Sequence, residues 1–308
     1  MRARDIFSLS FLDTTPGPRL AFGVAALLVV IWGTTWAAIR LSLEGLPPFL
    51  SMSLRFGLAS VLLSLLARKM KVPLVGPGVR GPIMMMVQAL GAFGISYAVI
   101  YWAEQWVPTG LASVLFATLP FFVALFSYFV LPGETLGWKS ILGILLGFAG
   151  VAVIFADDLS ALGGAQVRLA SAVILISPVA VAASQMAVKI WGSEYHSLTL
   201  TALPMGCSAI MMAVLSFFVE SGRVVAPTPS AWLAVIYLAV VGSAFTFTLF
   251  FWLLTRGNLL RVSMIAYGTP VVAVFVGTFF LSEPLTWKLV AGAALVLSGV
   301  FAVVGKKK

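Results

Sequence analysis

The sequence predicts an all-α integral membrane protein: ten transmembrane helices arranged as two inverted five-helix repeats, with both termini cytoplasmic. Three observations predict it: the composition, the length of the apolar runs, and an internal repeat. Of 308 residues, 61% are hydrophobic and 9% are charged, against about 25% charged in an ordinary soluble protein. Mean hydropathy is +1.09. A soluble fold of this size cannot hide that much apolar surface behind 19 basic and 10 acidic side chains. A soluble enzyme, a nucleic-acid-binding domain and a disordered chain are therefore excluded. Cys207 is the single cysteine and His196 the single histidine, so neither an internal disulfide nor a two-histidine metal site is expected. No HExxH or GxSxG motif is present; no catalytic residue, metal or cofactor is expected.

A helix needs roughly 20 apolar residues to cross the hydrocarbon core. The first run, about 20–39, contains Trp32, Thr34, Thr35 and Trp36. The second, about 49–67, starts after GLPP and holds Arg55. KMKVPLVGPGVRGP separates it from the third, about 82–102, which carries Gln88, Tyr97, Tyr101 and Trp102. The fourth, about 109–131, contains Pro120 and ends at LPGETLGW. The fifth, about 138–156, has Gly143, Gly147 and Gly150 on one stripe, suited to close packing inside the bundle. The sixth and seventh, about 170–190 and 198–219, include Pro178, Ser184 and Gln185, then Pro204 and Cys207. The eighth, ninth and tenth lie at about 231–253, 260–281 and 286–304, with Pro270 in the ninth. These runs are continuous and about twice as long as the alternating segments of a membrane β-barrel.

The domain reading follows: a cytoplasmic tail at 1–18, a first repeat at 19–157, a second at 168–304, and a basic C-terminus at 305–308. Asp5 and Asp13 and the lack of an apolar core argue against a signal peptide at the start. Orientation comes from the links. Fourteen of the 19 lysines and arginines fall on the side shared with both termini, four fall on the other, and Arg55 lies within a span.

The chain resembles itself at an offset of 149–150: GLASVLFATLPFFVALFSYFVLPGETLGWKSILGILLGFAG aligns with LRVSMIAYGTPVVAVFVGTFFLSEPLTWKLVAGAALVLSG. Ser113 matches Ser263, Pro120 matches Pro270, Glu134 matches Glu283 and Trp138 matches Trp287. Five spans per half invert the second half in the membrane, an arrangement typical of secondary transporters. With WGTTWAAIR in span 1, these repeated segments resemble the EamA-type ten-helix members of the drug/metabolite transporter superfamily over about residues 20–304. The resemblance implies a carrier in the bacterial inner membrane, often an exporter of amino acids or other metabolites, as in the YddG-type exporters. The signature reports fold better than substrate.

Coupling to protons usually needs an acid within the membrane. Glu104, Glu134, Glu220 and Glu283 stand at span ends, and Asp157 and Asp158 follow span 5. Small multidrug relatives carry a glutamate in their first helix, where this chain has Trp32, Thr34, Thr35 and Trp36. The reading is therefore movement down a gradient, or coupling without a dedicated mid-membrane acid.

Arg55 is the ionisable residue deepest in a span, about 10 Å from its end at 1.5 Å per residue. Two roles fit it: a grip on a substrate carboxylate, or a structural cation that pairs with Glu104, Glu44 or a helix C-terminus or snorkels outward. A single arginine argues against phosphate-bearing substrates. Gln88, Ser184 and Gln185 face inward either as substrate ligands or as bonds between helices. Trp36, Tyr101 and Tyr267 are pocket candidates; Tyr97 and Trp252, near span ends, suit an interface belt, and Trp102 suits either pocket or belt. Pro120 and Pro270 are either matched hinges or static bends. Together they suit a carrier of neutral or zwitterionic small solutes that exports amino acids, aromatic or other neutral ones, by alternating access. The alternatives are a drug or other metabolite carrier on the same fold, or a pore or sensor. The expected partners are the small-molecule substrate and membrane lipid, without nucleic acid, in a monomer or weak dimer.

Overall fold

In the computed structural model, residues 12, 15–130, 137–155, 164–256 and 265–304 are described. The expected tail, apart from Leu12 and 15–18, and the basic C-terminus at 305–308 lie outside them. Among the described residues every regular element is a helix.

Among the described residues, eight helices are long and apolar enough to cross a membrane: α1 (Pro18–Ser42), α2 (Pro48–Lys69), α3 (Arg80–Ala103), α4 (Thr109–Val130), α5 (Trp138–Phe155), α6 (Ala165–Trp191), α7 (Ala202–Val219) and α8 (Pro229–Thr255). Two shorter apolar stretches follow, in α9 (Ile265–Phe280) and α10 (Trp287–Val304). Prolines open α1, α2 and α8, where the missing N–H has no intrahelical partner to lose. Pro120 falls at the start of the second half of α4, after a break at Ala117–Thr118. Pro270, its partner in the repeat, sits inside α9.

Two helices are interrupted by π-turns: α3 over Gln88–Ile95 and α8 over Val240–Phe245. Their positions correspond at the repeat offset. Apolar periodicity does not distinguish a π-turn from an α-turn, so neither was expected. Gly91 of the first lies so close to Ser184 that a Cβ would stand 2.1 Å from its hydroxyl, and Gly242 of the second is likewise pressed on Thr35.

The helix pairings respect the repeat. α5 packs on α10, α2 on α7, and α4 on α9. α1 packs on α9 and α8 as α6 packs on α4 and α3; α8 meets α2 as α3 meets α7. Exchanging the two halves maps these pairs onto themselves. α8 is central, with 67% of its most apolar window buried, and α5 is peripheral, with 28%.

The glycine stripe of α5 serves the bundle interior. A Cβ on Gly150 would stand 2.6 Å from the Gly292 carbonyl oxygen, and one on Gly299 would stand 2.4 Å from that of Gly143. These backbones touch because neither helix carries a side chain between them. Gly299→Leu should therefore destabilise the protein by about 1–3 kcal/mol, read as a lower melting temperature in detergent. An unchanged melting temperature would contradict this packing.

Candidate functional site

Arg55 lies on the inward face of α2 with Met52, Phe56 and Ala59, all of them at 0% exposure. A buried guanidinium needs compensation on every side. Its Nε donates to Ser243 Oγ at 2.7 Å and its Nη2 donates to the Gly242 carbonyl oxygen at 3.3 Å. Both acceptors belong to the π-turn of α8, where the carbonyl ladder departs from regular spacing. The guanidinium carbon also lies 5.1 Å from the Phe56 ring centre and 4.7 Å from that of Tyr97, within cation–π range. Its Nη1 has no hydrogen-bond partner among the described residues.

Aromatic rings enclose this cation. Phe56 meets Phe93 and Tyr97 edge-on at 5.6 and 5.0 Å, and Phe93 meets Phe247 at 5.1 Å. Trp32 of α1 closes the cluster against Phe247 and Phe250 at 5.2 and 5.0 Å, and its indole N–H donates to Thr246 Oγ1 at 3.1 Å. The cluster therefore joins α1, α2 and α3 of one half to α8 of the other.

One turn along α3 stands Tyr101, completely buried, its hydroxyl without a hydrogen-bond partner among the described residues. Glu104 follows the last residue of the helix and is also at 0% exposure; neither carboxyl oxygen has a hydrogen-bond partner among the described residues. Burial holds this carboxyl well above the usual carboxylate range; Glu283 pushes the same way, and Arg40 and Arg55 oppose it. Arg40 spends Nη1 on the backbone carbonyl oxygen of Glu104, not on its carboxyl group.

Of the other predicted residues, Gln88 and Ser184 bond helix to helix: Gln88 Nε2 donates to the Ser184 carbonyl oxygen and Ser184 Oγ to that of Val87, each at 3.2 Å. Gln185 is half-buried beside them. Trp36 packs edge-on against Phe116 at 5.7 Å, and Trp102 against Trp106 at 4.9 Å; neither ring is among those stacked around Arg55. Tyr267 falls on α9, with its side chain outside the described residues. Sequence reasoning assigned Tyr97 to an interface belt and gave no role to Phe93, Ser243 or Gly242. It weighed Glu104 only as a partner for Arg55 and as a span-end acid set aside for proton coupling. The available signal was YAVIYWAE, which puts Tyr97, Tyr101 and Glu104 on one face at steps of four and three.

The end of the bundle opposite the termini is stitched together by carboxylates. Pro47 and Pro108 precede α2 and α4 and offer no side-chain acceptor, so the caps come from the other half. Glu220 accepts from the Phe49 and Leu50 amides at 3.0 and 3.1 Å. Glu283 accepts from the Thr109 amide and hydroxyl, both at 2.8 Å, and from the Gly110 amide at 3.3 Å. Gly45, at φ +83°, lets the first link cross the Ala226 backbone, where a Cβ would stand 2.1 Å from a carbonyl oxygen. Glu134, the sequence counterpart of Glu283, lies outside the described residues.

Comparison with known proteins gives a consistent picture. The EamA-like transporter family matches twice, over residues 19–156 and 168–305. An uncharacterized transporter of Archaeoglobus fulgidus is 29% identical over 286 residues, covering 92% of this chain and 98% of the relative. The uncharacterized inner membrane transporter YedA of Escherichia coli is 30% identical over 299 residues, covering 92% and 91%. A solved crystal structure, 20% identical with TM-score 0.68, covers 92% of this chain and 96% of its own, and shows the same fold.

The carboxylate caps predict a local effect. Glu283→Ala should cost about 1–2 kcal/mol at the first turn of α4. The Thr109 and Gly110 amides should then exchange hydrogen roughly tenfold faster or more. Unchanged exchange there would remove Glu283 as the cap.

Proposed function

The chain belongs to the EamA-like transporter family, and on that premise we propose that it exports small neutral amino acids, aromatic ones included, by alternating access. The observation that carries this reading is Arg55: a fully buried cation whose Nη1 is unpartnered, set among aromatic rings between the two halves. With the unpartnered Tyr101 hydroxyl it offers two donors to a carboxylate. Phe56, Phe93, Tyr97, Phe247 and Trp32 supply apolar walls for a side chain. A phosphate-bearing solute would need more cations than this cluster holds.

Gln88, Ser184, Gln185, Trp36, Trp102 and Tyr267 take second place, lining the route or holding helices together. Alternating access fits a bundle whose halves exchange by pseudo-symmetry. The carboxylate stitches belong to the state closed at the far end. Pro270, inside α9, and Pro120, beside the break in α4, are the proposed bending points. The bias of basic residues supports cytoplasmic termini and ten crossings, and the likeness to YedA supports the bacterial inner membrane. The α5–α10 glycine contact is used within one chain, which favours a monomer or weak dimer.

Purified protein in liposomes should give counterflow of labelled phenylalanine or leucine. Arg55→Met, checked for folding by gel filtration, should weaken apparent affinity roughly ten- to hundredfold, the loss of a charge-assisted hydrogen bond. Counterflow with sugars or drugs but with no amino acid would replace the substrate class. No flux of any solute would overturn the carrier reading.

A further inference from the structure

The carboxyl of Glu104 has no assigned partner, yet it is the most completely enclosed acid among the described residues, at 0% exposure. Titratable groups reach it from several elements: Arg40 from α1, Arg55 from α2, the neutral Tyr101 from its own helix, and Glu283 from the segment after α9. None of them donates a hydrogen bond to its oxygens. Arg40 is turned to the Glu104 backbone carbonyl, and Arg55 is held by Ser243 and Gly242. An ionised carboxylate with no donor and no exposure is strongly disfavoured, whereas the neutral acid loses far less on burial. Glu283, the nearby acid, is occupied in capping α4.

We propose that Glu104 is a proton-binding gate: it holds a proton while the far end of the bundle is closed and releases it when that end opens. Opening would part Glu283 from α4 and admit water to Glu104. Water and the two arginines then favour the carboxylate, and closure requires the proton back. Acid on the far side therefore favours the closed state. This places a proton-responsive carboxyl at a helix end, where a search for mid-span acids does not look. It rests on the reading that the far end opens during transport.

Two substrate-free measurements on the full chain in lipid test it. Infrared difference spectra should contain a protonated-carboxyl C=O band at neutral pH that is lost in Glu104→Gln, whose neutral amide mimics the protonated acid and preserves the fold. Nitroxides attached at Leu43→Cys and Leu285→Cys, in a Cys207→Ala background, should report separations that shorten as pH falls. With Glu104→Gln they should stay short at every pH. Absence of the band, or an equal pH response in Glu104→Gln, would overturn the proposal. Because neither readout uses a solute, failure of amino-acid counterflow with the band present removes the substrate reading alone. Counterflow with no band removes the proton gate alone.

Discussion

Burying the charge of Arg55 is the constraint around which the site is organised. A guanidinium at zero exposure costs several kcal/mol unless its neighbours replace the water it has lost. The replacement is built from two halves of the chain. α2 supplies the arginine and Phe56, α3 supplies Tyr97, and the π-turn of α8 supplies the Ser243 hydroxyl and the Gly242 carbonyl oxygen. The α8 turn must approach closely, and Gly242 allows it by yielding its Cβ space to Thr35 of α1. The compensation left incomplete among the described residues, at Nη1, is what the proposed solute carboxylate would complete.

The duplicated architecture distributes these demands. The π-turns of α3 and α8 stand at corresponding places, but they have diverged. In α3 the turn begins at Gln88, which ties α3 to α6; in α8 it holds the arginine of the other half. Symmetry fixes where backbones can touch, and sequence divergence decides which of the two equivalent places carries charge. The caps at the far end follow the same logic. Prolines start α2 and α4 without acceptors, so glutamates from the second half complete helices of the first. The contacts that join the two halves at that end are therefore the same bonds that satisfy its backbone amides.

Much of this fold was legible in the sequence because a membrane imposes a length on each apolar run and leaves charge for the links. The helices begin and end within a few residues of the predicted runs: α4 over Thr109–Val130 against 109–131, and α5 over Trp138–Phe155 against 138–156. The stripe Gly143, Gly147 and Gly150 correctly announced a close helix contact, although only coordinates name α10 as its partner. The site was less legible. Arg55 stood out because charge in a span is costly, but its acceptors lie 187 and 188 residues away. Polarity alone cannot separate a lining amide from a structural one, and Gln88 and Ser184 bond to backbone. Glu104 was discounted for its place at a helix end, because linear position does not report burial.

The central claim is that the unpartnered edge of Arg55 receives the solute carboxylate. Solid-state NMR of the protein in lipid, with the arginine side chains isotopically labelled and Arg55 assigned by its loss in Arg55→Met, tests this directly. On saturation with phenylalanine the Nη1 resonance should shift, while Nε, held by Ser243, stays close to its starting position. An Arg55 spectrum unchanged in every nitrogen, under conditions where phenylalanine is transported, would contradict the account.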